Sequence, residues 1–243
     1  MLKTRAVVVG VLCLVVVTAA AAQTADELVA KNLQARGGVD KIKAVNTVKM
    51  TAKAYVGINA DVSQEQKRPN MIRQEFTVQG MTQIQAYDGS VGWKISPFEG
   101  RKDPELLGED DMRDLVEDAD IDGPLVDYQA KGNKVEYLGH DLVDGDDAYK
   151  LKVTLKNGDV IYYYLDPDTY LEIKTEKQEF IRGSVRESER LLGSFKQVAG
   201  VYYPFSLEIG PKGGSEHERY TIDTIKINEP IEDSYFKMPS AKK

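Results

Sequence analysis

The sequence predicts a mainly β chain that carries a few helices. Three observations predict it. Apolar and polar residues alternate with a period of two through several runs, as antiparallel strands with one dry and one wet face require. Turn signals rich in Gly and Asp punctuate those runs. No helix alternates regularly with the strands, which argues against a parallel α/β sheet. About ten strands are expected, a number that suits a sandwich or a barrel.

The first residues bear on compartment. Lys3 and Arg5 precede an almost wholly apolar stretch, Ala6 to Val17, and Ala20-Ala21-Ala22 fits the small-residue cleavage rule. Residues 1–22 are read as a secretory signal peptide and 23–243 as one domain. The apolar run is too short to span a bilayer comfortably and no later stretch is longer, so no stable membrane insertion is expected. Cys13 is the one cysteine, and Leu12 stands before it where lipid attachment would want a small residue. Cleavage would leave a domain held by packing, without disulfides, in an oxidising compartment. Acidic residues outnumber basic ones, 39 against 32. That balance argues against nucleic acid, whose binding needs a basic face.

The elements follow in order. Thr24-Ala-Asp-Glu27 is a capping-box pattern, and Asp26 and Glu27 suit the positive end of a helix dipole. Ala25, Leu28, Val29 and Leu33 then share one stripe, and Gly37-Gly38 offers a left-handed stop. Val39, Ile42 and Val45 suggest one more short turn of helix. In 47–56, Val48, Met50, Ala52, Ala54 and Val56 alternate with polar residues or tyrosine. In 149–156, Tyr149, Leu151, Val153 and Leu155 do the same. In 201–209, Val201, Tyr203, Phe205, Leu207 and Ile209 share one face of a single expected strand. Asn157-Gly158 is a strong hairpin signal, and Asp88-Gly89, Asp144-Gly145 and Asp166-Pro167-Asp168 mark further reversals. Residues 99–127 are acidic with little strand pattern. Within them Met112, Leu115, Val116 and Ala119 recur at helical spacing, with Asp110, Asp111, Asp114, Glu117 and Asp118 on the expected wet side. No internal repeat and no Pro- or Ser-rich linker divides the chain.

Recognisable catalytic motifs are few. Asp118-Ala-Asp120-Ile-Asp122-Gly123 matches the first half of an EF-hand loop, but Gln129 stands where the bidentate glutamate belongs, so the expectation is a solvated acidic loop. His140 and His217 lie far apart and neither sits in HExxH, so no metal site is expected. GxSxG, GxGxxG and Walker patterns do not occur, and no cofactor is expected. Gly210-Pro-Lys-Gly-Gly214 reads as a hairpin turn. Carboxylates are too abundant for any one pair to single out glycosidase chemistry. The chain is therefore read as not an enzyme.

What remains is apolar and aromatic: Trp93, Tyr162-Tyr163-Tyr164 and Tyr202-Tyr203. Inward strand residues ordinarily fill a core. A large curved sheet also has a wide concave face, which helices could cover to leave an apolar ligand site. Both arrangements satisfy the pattern.

Lys67-Arg68-Pro69-Asn70 closes one early strand. It is followed by Asp88-Gly89, then Trp93 and Pro97-Phe98, and the chain ends with Phe236-Lys237-Met238-Pro239. Gly145 to Leu171 resembles a Gly-Asp-x-x-x-Tyr-Tyr-x-Asp-Pro hairpin. In this order the features resemble the LolA/LolB family of periplasmic lipoprotein carriers, over nearly all of residues 23–243. The chain departs from a typical carrier in its length and in the acidic insertion at 99–127. The resemblance implies a single curved antiparallel sheet forming an incomplete barrel, covered by an N-terminal helix and a short helical insertion. It implies a soluble periplasmic carrier that binds lipoprotein acyl chains or other lipids and works with donor and acceptor proteins at the two membranes. Ile72, Phe76, Val78, Trp93, Phe98, Leu151, Val153, Tyr203 and Phe205 are the expected lipid-binding residues. In that family the arginine of the triplet holds the lid by hydrogen bonds and is needed for release, which makes Arg68 the expected lid contact. The alternative on the same fold is a lipid- or protein-sensing module of the RseB type. An unrecognised hydrolase is a third reading.

Overall fold

The computed structural model describes residues 23–181 and 183–240. The expected signal peptide, residues 1–22, lies outside them. Helix α1 (Ala25–Ala35) starts as its sequence requires. The Thr24 hydroxyl accepts from the Glu27 amide at 3.2 Å, and the Glu27 carboxylate accepts from the Thr24 amide at 3.0 Å. Its buried stripe is Leu28, Val29, Asn32 and Leu33. A second short helix, α2 (Val39–Lys43), follows directly.

Six strands come next: β1 (Thr47–Tyr55), β2 (Asn59–Lys67), β3 (Met71–Val78), β4 (Met81–Tyr87), β5 (Gly92–Ser96) and β6 (Arg101–Leu106). Helix α3 (Glu109–Asp118) interrupts them. The second series is β7 (Lys134–Val143), β8 (Asp146–Thr154), β9 (Val160–Leu165), β10 (Glu172–Ile181) and β11 (Ser184–Gly193). The short strands β12 (Lys196–Val198) and β13 (Val201–Tyr203) pair only with each other. The chain then returns through β14 (Ser206–Pro211) and β15 (Glu218–Ile227).

Thirteen strands form one antiparallel sheet in the order β6-β5-β4-β3-β2-β1-β15-β14-β11-β10-β9-β8-β7. The two end strands are not hydrogen-bonded to each other, so the barrel is incomplete. Helix α1 fills the β7–β9 end of the trough. There Leu28, Val29 and Leu33 pack on Leu151, Val153, Ile161 and Leu165. Helix α3 covers the other end, where Leu115 and Ala119 pack on Ile72, Tyr87 and Leu107.

Three expectations need correction. Strand β6 lies inside the acidic segment 99–127, where no strand was expected. It has no clean alternation because it is an edge strand with mostly exposed side chains. The run 201–209 is two elements rather than one strand. It breaks at Pro204-Phe205, and Val201 joins the core beneath α1 while Phe205 packs with Ala52 and Ile222. The expected α3 stripe is also narrower, since Val116 is exposed.

Gly37 is the position where close approach decides the residue. Its φ is +122°, and a Cβ there would stand 2.1 Å from the Gly200 carbonyl oxygen. This contact seats the β12–β13 hairpin against the end of α1, where the Tyr202 amide donates to the Arg36 carbonyl at 2.8 Å.

Candidate functional site

Between the part of the trough filled by α1 and the part roofed by α3 lies a cavity of about 730 Å³. That is within the size range of small-molecule sites. Strand register builds its floor. Alternate residues face the same side of a sheet, so residues paired across strands form rows. One row runs Ile222–Ala52–Val62–Phe76 across β15, β1, β2 and β3 and is wholly apolar. The neighbouring row runs Met50–Gln64–Gln74–Gln85 and turns polar from β2 onward. Gln74 Nε2 donates to Gln64 Oε1 at 3.0 Å. Gln66 and Gln83 also line the cavity, so five glutamines face it.

Helix α3 and the loop after it, 119–126, form the roof. The apolar side of α3 packs on β3–β5, as described. Its other side is tied to the second half of the sheet by charge. Arg113 pairs with Asp159 at 2.6 Å, and Asp159 is almost wholly buried. Asp114 pairs with Lys177 at 2.8 Å and Arg186 at 2.7 Å. Glu117 pairs with Lys177 at 2.9 Å, and Lys177 also reaches the buried Glu179 at 2.7 Å. Burial pushes Lys177 toward its neutral form, but Glu117, Asp114 and Glu179 outweigh it and hold the ammonium above its usual range. Burial pushes the Glu117 carboxyl up. Three acids expected on a solvated face, Asp114, Glu117 and Asp118, thus bind cations of the opposite half of the sheet. The roof bridges the two halves of the open barrel.

Arg68 sits where β2 ends. Its Nε donates to the Val45 carbonyl at 2.6 Å and its Nη2 to the Ile42 carbonyl at 3.2 Å. The same guanidinium takes Asp122 in a two-pronged pair, at 2.9 and 2.5 Å. It therefore joins the segment after α2 to the roof loop. The hydrogen bond from Arg68 holds the Asp122 carboxyl below its usual range despite partial burial. Asp120, the other acid of the EF-hand-like stretch, is taken by Lys131, and Asp118 by Arg190 and Gln74. Among the described residues the carboxylates of that stretch point to different cations.

The expected lipid-binding residues divide. Phe76, Phe98 and Tyr203 line the cavity, and Phe76 meets Phe98 edge-on at 6.4 Å between ring centres. Ile72 is fully buried beneath α3, outside the cavity wall. Leu151 and Val153 are buried under α1. Phe205 packs on Ala52 and Ile222 and is not part of the lining, and Val78 lies near the β3–β4 turn, opposite Met81. Trp93 faces the other side of the sheet: it shares a row with Arg73 and Ala86, and its indole N–H donates to the Phe236 carbonyl at 2.8 Å. Period-two alternation cannot assign which face is concave, so Trp93 was placed on the wrong side by its apolarity alone. Sequence reasoning passed over the glutamines, Arg36 and Arg190, and named Tyr163 only within an aromatic run. A signal for the glutamines exists, in the spacing of Gln64 and Gln66, and of Gln83 and Gln85.

Solved structures share this architecture. A LolA superfamily protein from Nitrosomonas europaea superposes with a TM-score of 0.58 at 14% identity, covering 89% of this chain and 98% of that one. A DUF1329 family protein from Desulfovibrio piger gives 0.58 at 14%, covering 88% and 97%. An outer membrane lipoprotein-sorting protein domain from Vibrio parahaemolyticus gives 0.54 at 11%, covering 86% and 97%. No family model and no curated protein matches the sequence. At these identities the likeness establishes the fold alone, an incomplete antiparallel barrel. No described helix is long and apolar enough to cross a membrane.

Proposed function

We propose, with the LolA-like fold as premise, that this chain is a periplasmic carrier. It would take up an acyl chain of a lipoprotein or another lipid and deliver it toward the outer membrane without catalysing a reaction. The observation that carries the reading is the roofed cavity, closed by a polar latch instead of a sealed core. Ile222, Val62 and Phe76 of the apolar row offer a chain contact from β15, β2 and β3. Burial of a methylene is worth about 0.8 kcal/mol, so a chain of ten or more would bind too tightly to leave an always-open site. The Arg68–Asp122 latch and the α3 ion pairs favour the closed empty form and so oppose retention.

The test is native mass spectrometry of protein purified from the periplasm, followed by lipid extraction and a transfer assay between two vesicle populations. Co-purified lipid and transfer that rises with protein concentration are expected. A protein that carries no lipid and moves none between vesicles would sink the reading. Lipid binding without transfer, together with a partner whose affinity changes on loading, would favour the sensing module.

A further inference from the structure

We propose that the cavity selects an oxyanion-headed amphiphile, a single alkyl chain ending in a carboxylate or phosphate, and that Arg190 receives the head. The inference rests on the lipid-carrier reading and narrows it to a class of ligand.

Arg190 lies on β11, opposite Thr175 on β10 and Ile209 on β14. All three side chains line the cavity. Arg190 lines the cavity, and 48% of its side-chain surface is open. A guanidinium carries five N–H donors in a fork that matches a carboxylate or phosphate. The partner of Arg190 among the described residues is Asp118 Oδ1, at 3.7 Å, too far for a hydrogen bond. Asp118, Glu117 and Asp114 favour its charge without taking up its hydrogen-bond donors, which stay available to a ligand.

Several other wall charges have partners. Glu75 pairs with Arg73, Glu117 with Lys177 and Asp120 with Lys131. Glu218 accepts from the Tyr220 hydroxyl at 2.6 Å, and Glu172 and Arg36 complete the charged lining. Aliphatic surface begins beside the guanidinium. Ile209 is opposite it, Leu192 and Leu207 pair one step along, and Leu207 packs against the cluster of Ala52, Phe205 and Ile222. A cation at one end of an apolar track is the shape of an anionic amphiphile.

Asp118 gives the site a second property. It belongs to α3, where its carbonyl accepts from Gln66 and its carboxylate from Gln74. The roof's own carboxylate therefore stands where the ligand's head would go. An arriving oxyanion competes with Asp118 for Arg190, and loading loosens one attachment of the roof.

The experiment is displacement of the neutral fluorophore N-phenyl-1-naphthylamine by dodecanoate, dodecyl phosphate, dodecanol and dodecyltrimethylammonium. The wild-type chain is expected to prefer both anions over dodecanol by about tenfold or more, the scale of a hydrogen-bonded charge. The relative strength of the two anions identifies which head is preferred. Arg190→Met is expected to erase the preference and leave dodecanol within about twofold, and Arg190→Lys to keep part of it. Asp118→Asn is expected to tighten dodecanoate and leave dodecanol unchanged, because it removes the competitor. Equal affinity of dodecanoate and dodecanol in the wild-type protein would overturn the proposal and leave the lipid-carrier reading standing. So would a preference that survives Arg190→Met. If no twelve-carbon chain displaces the fluorophore, the carrier reading itself fails. The wild-type headgroup series decides the matter even where a variant does not fold.

Discussion

Replacing Arg68 with Leu removes four hydrogen bonds at once, two to backbone carbonyls in and just after α2 and two to Asp122. The side chains of Arg68 and Asp122 are 25% and 13% exposed, so water replaces little of what is lost. Breaking a buried pair costs about 3–5 kcal/mol, and a hydrogen bond to a charged group contributes about 1.5–3. For this partly exposed latch we take about 2–3 kcal/mol. At 1.4 kcal/mol per factor of ten, that shifts the lid equilibrium roughly 30- to 150-fold toward open. Where cargo binds the open form, apparent affinity is the intrinsic affinity multiplied by the open fraction. Arg68→Leu should therefore load cargo more tightly, by up to the same factor, and release it more slowly. Hydrogen exchange of residues 109–126 in the empty protein reads the first effect, and retention of a vesicle-derived lipid reads the second. The sign of the pH dependence is also fixed. The Asp122 carboxyl is depressed from its ordinary value of 3.8, so the latch is intact above that value and is lost as pH falls through the lower folded one. Exchange in the roof should accelerate in strong acid in the wild-type protein and change little in the variant. Unchanged exchange at neutral pH, or weakened cargo retention, would refute the latch. A simple surface turn at this place would change stability by only a few tenths of a kcal/mol.

Other perturbations test the parts around it. Lys177→Met strands the partly buried Glu117 and leaves the buried Glu179 to Arg186 alone, and should cost about 3 kcal/mol, read as a lower urea midpoint; adding Glu117→Leu should recover much of it. Glu65, on β2, is pushed up to about 7, first by burial and then by Glu75, and its Oε2 has no hydrogen bond. A carboxyl raised in the folded state keeps its proton longer than the unfolded chain does, so stability falls as pH rises from 4.5 to 7. Glu65→Gln should unfold at a higher temperature than wild type above pH 7, by about 1–2 kcal/mol after allowance for partial exposure, and converge with it below pH 4.5. Parallel melting curves across that range would contradict this. Gly37→Ala meets both a positive φ and the Gly200 carbonyl, and should lose about 2 kcal/mol or more by chemical denaturation; a neutral result would show that the β12–β13 hairpin moves aside freely.

Much of the architecture is legible because it is local. The α1 cap depends on residues three apart, and the hairpin at Asn157-Gly158 depends on two adjacent ones. The alternation at 47–56 and 149–156 gives strands because the pleat repeats every two residues. The resemblance makes Arg68 an expected lid contact; in the structure its guanidinium pairs with Asp122. The errors arise where a residue's neighbours come from far along the chain. Trp93 and Phe76 are both aromatic strand residues, but the closing of the trough puts one outside and one inside. Asp114, Glu117 and Asp118 read as a wet helix face until β10 and β11 bring Lys177, Arg186 and Arg190 across from them.

By itself the sequence determined that this chain folds as a mainly antiparallel sheet with an N-terminal helix and a helical insertion, since periodicity, caps and turns act over a few residues. Only the tertiary structure decided which face is concave, that it is incompletely filled, and that charges 46 to 72 residues apart in sequence close the roof. Those facts depend on the register and curvature of thirteen paired strands, which no single stretch of sequence encodes.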